Sequence, residues 1–327
     1  MYRLELTPQD LVTSRFAISP LVETMHAQLV LDGRQPAPLL TDWAERWREP
    51  YRRLRARHHG LQVMAAIIGA KGVANVDFLA PPPTGVDVPF ETELAKMRAV
   101  PLEQAHAEIR QALALRPPVD EPTRRLLFGA DIVELLAEGM QALWTEIVSP
   151  GWPRFHAVLQ RDIAHRAGRL AAYGWAEALE DLSEHVRWIS SGHIEVDMHS
   201  EGEISLGGRG LLLLPSVFGP KVGAYLAEAW PYALIYPARG VAAASREHRD
   251  LAGLIGRSRA RILAELSGPA TTTQLAALLG QSPGTVGEHL AALRRAGAVT
   301  GARAGRHVHY SRTPLGKALI NPSTLRP

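Results

Sequence analysis

Five arginines whose side chains could bind phosphate groups lie close together near the C-terminal end of the sequence. They are Arg294, Arg295, Arg303, Arg306 and Arg312. A guanidinium group stays charged at neutral pH, and its planar fork of donors matches phosphate oxygens. From residue 246 onwards the chain has 12 Lys and Arg against 4 Asp and Glu, a net charge of +8, whereas the preceding residues carry a net charge of −5. This asymmetry predicts that the C-terminal part binds a polyanion and that the rest of the chain does not.

A pair of short helices joined by a turn is predicted just before these arginines. Thr271–Thr273 offer caps for a helix over Gln274–Leu279, and Gly280 can adopt the left-handed conformation that ends it. Ser282 followed by proline is typical of the cap and first position of a second helix, Pro283–Ala296. Two helices joined by a three-residue turn that contains glycine form a helix-turn-helix.

The second of these helices has one apolar stripe and one polar face. Val286, Leu290 and Leu293 recur at the spacing i, i+4, i+7 and are predicted to point into a core. When such a helix enters the major groove, outward positions near its start reach base edges most often, which favours Thr285 and Glu288 as base readers.

A basic β-hairpin is predicted after the second helix. Its strands are Val299–Arg303 and Arg306–Ser311, and two small residues form the turn. Arg303 and Arg306 flank the tip, so the hairpin forms a cationic wing beside the helix-turn-helix. The residues predicted to contact DNA are Ser282, Gly284, Thr285, Glu288, His289, Arg294, Arg295, Arg303, Arg306 and Arg312.

The stretch from Arg259 to Gly316 resembles the winged helix-turn-helix of ArsR-type bacterial transcription regulators. The agreement lies in T-V-x-x-H-L-x-x-L-R from Thr285 to Arg294, A-G-x-V after it, R-x-G-R at the wing tip, and a closing tyrosine and T-P-x-G. The resemblance covers about residues 250–320 and implies a winged-helix fold with double-stranded DNA as the partner.

The sequence departs from the ArsR pattern at two positions and in its lack of cysteine. Gly287 and Glu288 stand where that family usually carries Ser and His, so its usual base readers cannot be carried over and the target sequence is not predicted. Glu288 would repel phosphate and suits a cytosine amino group. Gly287 weakens the helix by about 1 kcal/mol relative to Ala and would let the backbone approach DNA closely. The metal sensing through cysteines that is common in this family is excluded, because the chain has none.

The rest of the chain is predicted to form a separate domain. From about Phe90 to Leu179 the pattern is mostly helical, and Thr7 and Ser19 each precede a proline at a helix start; further on, short strands alternate with turns. We therefore expect the α+β class: a mostly helical N-terminal domain with a small antiparallel sheet, residues 1–243, then a winged helix-turn-helix domain, residues 244–327. The first domain resembles the long region of unknown function that accompanies this winged helix in some actinobacterial regulators.

Composition and motifs exclude several classes of protein. With 46% hydrophobic and 21% charged residues, the chain matches a folded globular protein. It has no apolar run of the roughly 18 residues that a membrane span requires, and its N-terminus lacks the apolar region of a secretion signal. We expect a cytoplasmic protein with no membrane partner. No Gly-x-Ser-x-Gly or His-Glu-x-x-His motif occurs, so we expect neither enzymatic activity nor a cofactor.

Two further clusters of polar residues are weaker candidates for binding sites. His193, Glu195, Asp197 and His199 would share one face of a strand and could hold a divalent ion. Same-face residues of a strand are about 7 Å apart, however, so one ion would reach two of them at most, and we favour the solvent face of a hairpin. The six arginines in the range 46–57 could bind an anion, but a solvated helix face is favoured.

These observations favour a sequence-specific DNA-binding transcription regulator that forms a homodimer. The N-terminal domain would sense an unknown signal, such as a small-molecule effector, or mediate dimerisation. Two alternatives stay open: an enzyme in the first 240 residues that carries an accessory winged helix, and a protein-interaction module whose winged helix binds a partner protein.

Overall fold

The structure is a computed structural model of the 327-residue chain, which divides into two compact units. The N-terminal unit comprises Met1–Pro150 and Arg166–Pro237, and the C-terminal unit comprises Gly151–His165 and Ala238–Pro327. The residues that the structure describes are 1–36, 40–69, 76–189, 192–198, 201–219, 221–239, 248–266, 268–304 and 307–320.

Helices make up most of the N-terminal unit. They are α1 (Pro8–Thr13), α2 (Pro20–Leu31), α3 (Thr41–Arg57), α4 (His59–Ile67), α5 (Phe90–Arg98), α6 (Leu102–Ala114), α7 (Glu121–Leu127), α8 (Ile132–Leu143), α9 (Trp152–Tyr173) and α10 (Trp175–Leu179). The first part of α9 belongs to the C-terminal unit and the second part to the N-terminal unit. Within the described ranges, no helix is long and apolar enough to cross a membrane.

The strands of the N-terminal unit form two mixed sheets. They are β1 (Tyr2–Glu5), β2 (Arg15–Phe16), β3 (Val186–Ile189), β4 (His193–Val196), β5 (Gly202–Ser205), β6 (Leu212–Ser216), β7 (Gly223–Tyr225) and β8 (Ala233–Pro237). The first sheet has the order β3-β4-β1-β5, with β1 antiparallel to β4 and parallel to β5. The second has the order β2-β6-β8-β7, in which β2, β6 and β8 are parallel and β7 is antiparallel.

Helix α2 is buried along its whole length and contacts the last residue of β6 and the residue that follows it. It begins at a cap formed by Ser19 and carries polar side chains into the core. Glu23 Oε2 accepts the Val217 N–H at 2.9 Å, and His26 Nδ1 lies 3.1 Å from Ser216 Oγ. Nearby, the buried Glu93 Oε2 accepts the Leu21 N–H at 2.8 Å. These hydrogen bonds satisfy one oxygen of each carboxyl group, whereas Glu23 Oε1 and Glu93 Oε1 are buried and have no hydrogen-bond partner among the described residues.

The buried carboxyl groups have perturbed proton affinities. Burial raises the pKa of Glu23 to about 7 and the pKa of Glu93 to about 8, and their hydrogen bonds oppose this shift only in part. Burial and the neighbouring Glu108 carboxylate raise the pKa of Asp77 to about 7. Burial lowers the pKa of His26 to about 4. Each of these groups is therefore favoured in its neutral form by the fold.

We expect the N-terminal unit to lose stability between pH 6.5 and pH 8.5. Carboxyl groups with a raised pKa bind protons more tightly in the folded state, so the stability they contribute is full below their unfolded pKa and is lost as the pH rises through 7–8. The lowered pKa of His26 changes the stability only below pH 6.5, the ordinary pKa of histidine, and so does not contribute in this range. Urea unfolding at the two pH values measures the effect. Glu93→Gln keeps the acceptor oxygen and should reduce the difference in free energy of unfolding between the two pH values. An equal difference in this variant would show that Glu93 is not a source of the pH dependence.

The C-terminal unit is helical with one small sheet. Its helices, besides the start of α9, are α11 (His248–Ile255), α12 (Arg257–Glu265), α13 (Thr272–Leu279), α14 (Pro283–Arg295) and α15 (Pro314–Ile320). Its strands are β9 (Ala270–Thr271), β10 (Val299–Ala304) and β11 (His307–Arg312), and they form an antiparallel sheet of order β10-β11-β9. The core is apolar, with Ile262, Leu263, Leu275, Val286 and Leu290 inaccessible to solvent.

The α+β class predicted from the sequence is confirmed, with two differences of detail. The N-terminal sheets are mixed rather than antiparallel, because β1 pairs in parallel with β5, and both β2 and β8 pair in parallel with β6. The segment Gly151–His165, which the sequence placed in the N-terminal domain, belongs to the C-terminal unit.

Candidate nucleic-acid interface

The turn between α13 and α14 is built from reciprocal caps. Thr271 Oγ1 accepts the Gln274 N–H at 3.2 Å, and Gln274 Oε1 accepts the Thr271 N–H at 2.9 Å, which starts α13. Gly280 ends it in the left-handed conformation with φ of 63°. The Gln281 N–H then donates to the Ala276 carbonyl at 3.0 Å. These local bonds hold the turn that the sequence predicted.

Helix α14 presents a polar N-terminal face to solvent. Ser282 Oγ caps the helix by accepting the Thr285 N–H at 3.2 Å. Val286, Leu290 and Leu293 are buried, as the stripe predicted. The opposite side is exposed and includes both candidate base readers. Its residues are Ser282, Gly284, Thr285 and Glu288. His289 is half-buried at the flank.

Three of the five candidate phosphate-binding arginines are exposed to solvent. Arg294 and Arg295 are exposed in the last turn of α14, and Arg303 is exposed on β10. None of the three forms an ion pair with another described residue. Their charge is therefore available to a partner molecule. Arg306 lies outside the described residues.

Arg312 differs from the sequence expectation of a phosphate contact. Its Nε donates to the Leu263 carbonyl at 2.6 Å, and its Nη2 donates to the Ala264 carbonyl. The side chain is half-buried and donates to carbonyls in the last turn of α12, one of which, that of Leu263, also accepts the Leu266 N–H at 3.2 Å. We therefore assign Arg312 a role in holding β11 against α12.

The T-P-x-G segment closes the wing through a close backbone contact. Thr313 Oγ1 donates to the Gly297 carbonyl at 2.6 Å, and the Thr313 N–H donates to the Ala298 carbonyl at 3.1 Å. A Cβ atom added at Gly316 would lie 2.1 Å from the Ala298 oxygen. A glycine is required there, because any side chain would overlap this carbonyl.

An ion pair joins α9 to the end of α12 within the C-terminal unit. Arg161 Nη2 lies 2.9 Å from Glu265 Oε2, and Arg161 Nη1 donates to the Glu265 carbonyl at 2.7 Å. Both side chains are largely shielded from solvent, at 13% and 17% exposure, so the pair is screened less than a surface pair would be. Sequence reasoning missed this contact because its partners are 104 residues apart.

The His193–Glu195 candidate has the structure of a hairpin strand. Ile194 and Val196 are buried and the alternate residues are half-buried, as expected for the solvent face. The Glu195 carboxylate pairs with Arg187 at 2.8 Å and with Arg3 at 3.5 Å. His199 lies outside the described residues, and among those described no group of three or more metal-binding side chains comes together.

We expect Gly287→Ala to stabilise the C-terminal unit and to weaken its binding to DNA. A Cβ at this position would meet nothing within 4 Å, so the substitution should raise the free energy of unfolding by about 1 kcal/mol through helix propensity. The added methyl group would keep a duplex from approaching the backbone of α14. Thermal unfolding and a mobility-shift titration measure the two effects. Tighter or unchanged binding would show that this backbone does not approach DNA.

Two stretches of the chain match models of protein families. Residues 256–302 match the model of a helix-turn-helix domain, and residues 84–242 match a family of unknown function, DUF5937. No curated protein and no solved structure matches the chain. The first match confirms the helix-turn-helix predicted from the sequence and extends from the start of α12 into β10. A domain of this kind indicates a DNA-binding regulator.

Proposed function

We propose that the protein is a sequence-specific transcription regulator of the ArsR type that binds duplex DNA as a cytoplasmic homodimer. The observation that carries the proposal is the exposed N-terminal face of α14, where Thr285 and Glu288 are accessible while the apolar stripe is buried. Arg294, Arg295 and Arg303 support it, because they pair with no other described residue and offer their charge to phosphates beside the bases that α14 would read.

A dimer would suit the symmetry of a regulatory site. Two copies related by a twofold axis would place their α14 helices in successive major grooves, about 34–36 Å apart. In this proposal the N-terminal unit senses an unknown signal or holds the two copies together, and the chain acts by binding rather than by catalysis.

The test separates reading of bases from attraction to phosphate. Wild-type protein is titrated by mobility shift against 40-base-pair duplexes from the DNA upstream of its gene and against scrambled duplexes of equal composition. We expect preference for one natural duplex. The double variant Thr285→Ala and Glu288→Ala should lose that preference and retain binding to the scrambled duplex, since each good base contact contributes about 1–3 kcal/mol of discrimination. Equal affinity of the wild type for natural and scrambled duplexes would overturn sequence-specific regulation.

A further inference from the structure

A second basic surface lies on α12, outside the recognition helix and the wing. Three arginines occur within its first five residues, and all three side chains are exposed: Arg257, Arg259 and Arg261. None forms an ion pair with another residue in the described part of the chain. Elsewhere exposed arginines are often paired, as Arg57 is with Glu146 at 3.1 Å. The α12 surface therefore concentrates positive charge that no acidic side chain among those described neutralises.

The residues at the start of α12 are unfavourable for a helix N-terminus. Its first turn has no acidic residue, and its cap, Gly256, provides no side-chain hydrogen bond. Positive side chains near a helix N-terminus interact unfavourably with the helix dipole, and like charges four residues apart, such as Arg257 and Arg261, repel each other. The neighbouring helices α13 and α14 both have side-chain caps. An anionic partner would relieve this accumulation of charge.

A hydrogen bond places the start of α12 beside the start of the recognition helix. Gln281 Nε2 donates to Ser258 Oγ at 3.3 Å. Gln281 directly precedes Ser282, the cap of α14, and Ser258 lies between Arg257 and Arg259 in the chain. The two arginines therefore flank a residue that is in contact with the helix-turn-helix turn. The contact brings the start of α12, which carries both arginines, close to the end of α14 that is expected to enter the groove.

We propose that Arg257 and Arg259 bind the phosphate backbone of duplex DNA beside the groove that receives α14. This inference rests on the proposed function and adds a third contact surface to α14 and the wing. Residues two apart in a helix point to different sides of it, so each arginine would reach a different phosphate, and phosphates recur every 3.4 Å along the axis of each strand. Such contacts carry no base information, and their contribution is the same for every sequence. They fix the register of α14 on the duplex.

The salt dependence of binding tests this assignment. Full-length wild type and the double variant Arg257→Ala and Arg259→Ala are titrated against one natural upstream duplex and its scrambled version between 50 and 300 mM KCl. We expect the slope of log affinity against log salt to become shallower by about 1.8 per protomer on both duplexes, since each phosphate contact contributes about 0.9. The preference for the natural duplex should remain. Arg125→Ala, which removes an exposed charge from α7, is the matched control and should leave the slope unchanged.

The outcomes distinguish this inference from the proposed function. If wild type binds and the double variant has the same slope and affinity, the α12 contact is wrong while DNA binding stands. If wild type binds neither duplex at the lowest salt concentration, both are overturned. Arg257→Lys with Arg259→Lys should keep most of the slope, because charge rather than a planar fork is required for counterion release. Thermal unfolding shows whether each variant is folded, and alanine at these exposed helical positions favours folding.

Discussion

A Gly316→Ala variant is expected to destabilise the C-terminal unit by about 3 kcal/mol, the upper end of the usual cost of overpacking. The added methyl carbon would lie 2.1 Å from the Ala298 oxygen, which already accepts the Thr313 N–H. The obstructing atom is backbone, so it cannot rotate away as a side chain would. Helix α15 must move to make room, and Ile320, which belongs to the core of the unit, must move with it.

Hydrogen exchange at α14 amides and thermal unfolding of the full chain measure this loss of stability. For a unit of this size, each 1 kcal/mol lowers Tm by roughly 4–8 °C, and DNA binding should fail together with the fold. Gly287→Ala is the matched control, because it makes the same change in the same unit at a position with nothing within 4 Å. Normal protection of α14 in the Gly316→Ala variant would mean that α15 shifts without consequence for the rest of the unit.

The triple variant Arg294→Ala, Arg295→Ala and Arg303→Ala is expected to show the largest loss of DNA affinity among surface changes. The three exposed guanidinium groups have no acidic partner in the described part of the chain, so their removal breaks no internal contact. If each contacts one phosphate, the slope of log affinity against log salt becomes shallower by about 2.7 per protomer. The weakening should be as large on scrambled DNA as on a natural target.

Melting curves should show that the triple variant is folded, and isothermal titration or fluorescence anisotropy at several salt concentrations gives the slope. A useful control is Arg312→Ala, which removes one charge from the same unit but also the bonds to the Leu263 and Ala264 carbonyls. It should lower stability, whereas the triple variant should not. Unchanged affinity in the triple variant at low salt would favour a protein partner for the winged helix over DNA.

The helix-turn-helix could be predicted from the sequence because its signals are local. Thr271 with Gln274, Gly280, and Ser282 before a proline each fix one helix end through bonds that span only a few residues. The apolar stripe of α14 then defines which face is buried. Features of this kind depend on spacing within one turn of helix and not on the rest of the fold.

The features that sequence reasoning missed depend on distant partners. The two-residue strand β2 pairs in parallel with β6, about 200 residues further along the chain, and no periodicity can appear in so short a strand. The Arg161–Glu265 pair is equally remote in the sequence. For Arg312 a signal was present: it lies two residues after Tyr310, which packs against the core, and alternate residues of a strand share a face.

The division of α9 between the two units has a consequence for protein engineering. The C-terminal unit is not one continuous stretch of chain: besides Ala238–Pro327 it includes Gly151–His165, which precedes a long stretch of the other unit. A fragment that starts at Ala238 would leave Glu265 without Arg161. A chimaera that transfers the C-terminal unit to another protein would therefore have to transfer two separate segments, and Gly151–His165 would have to be inserted within the sequence of the recipient.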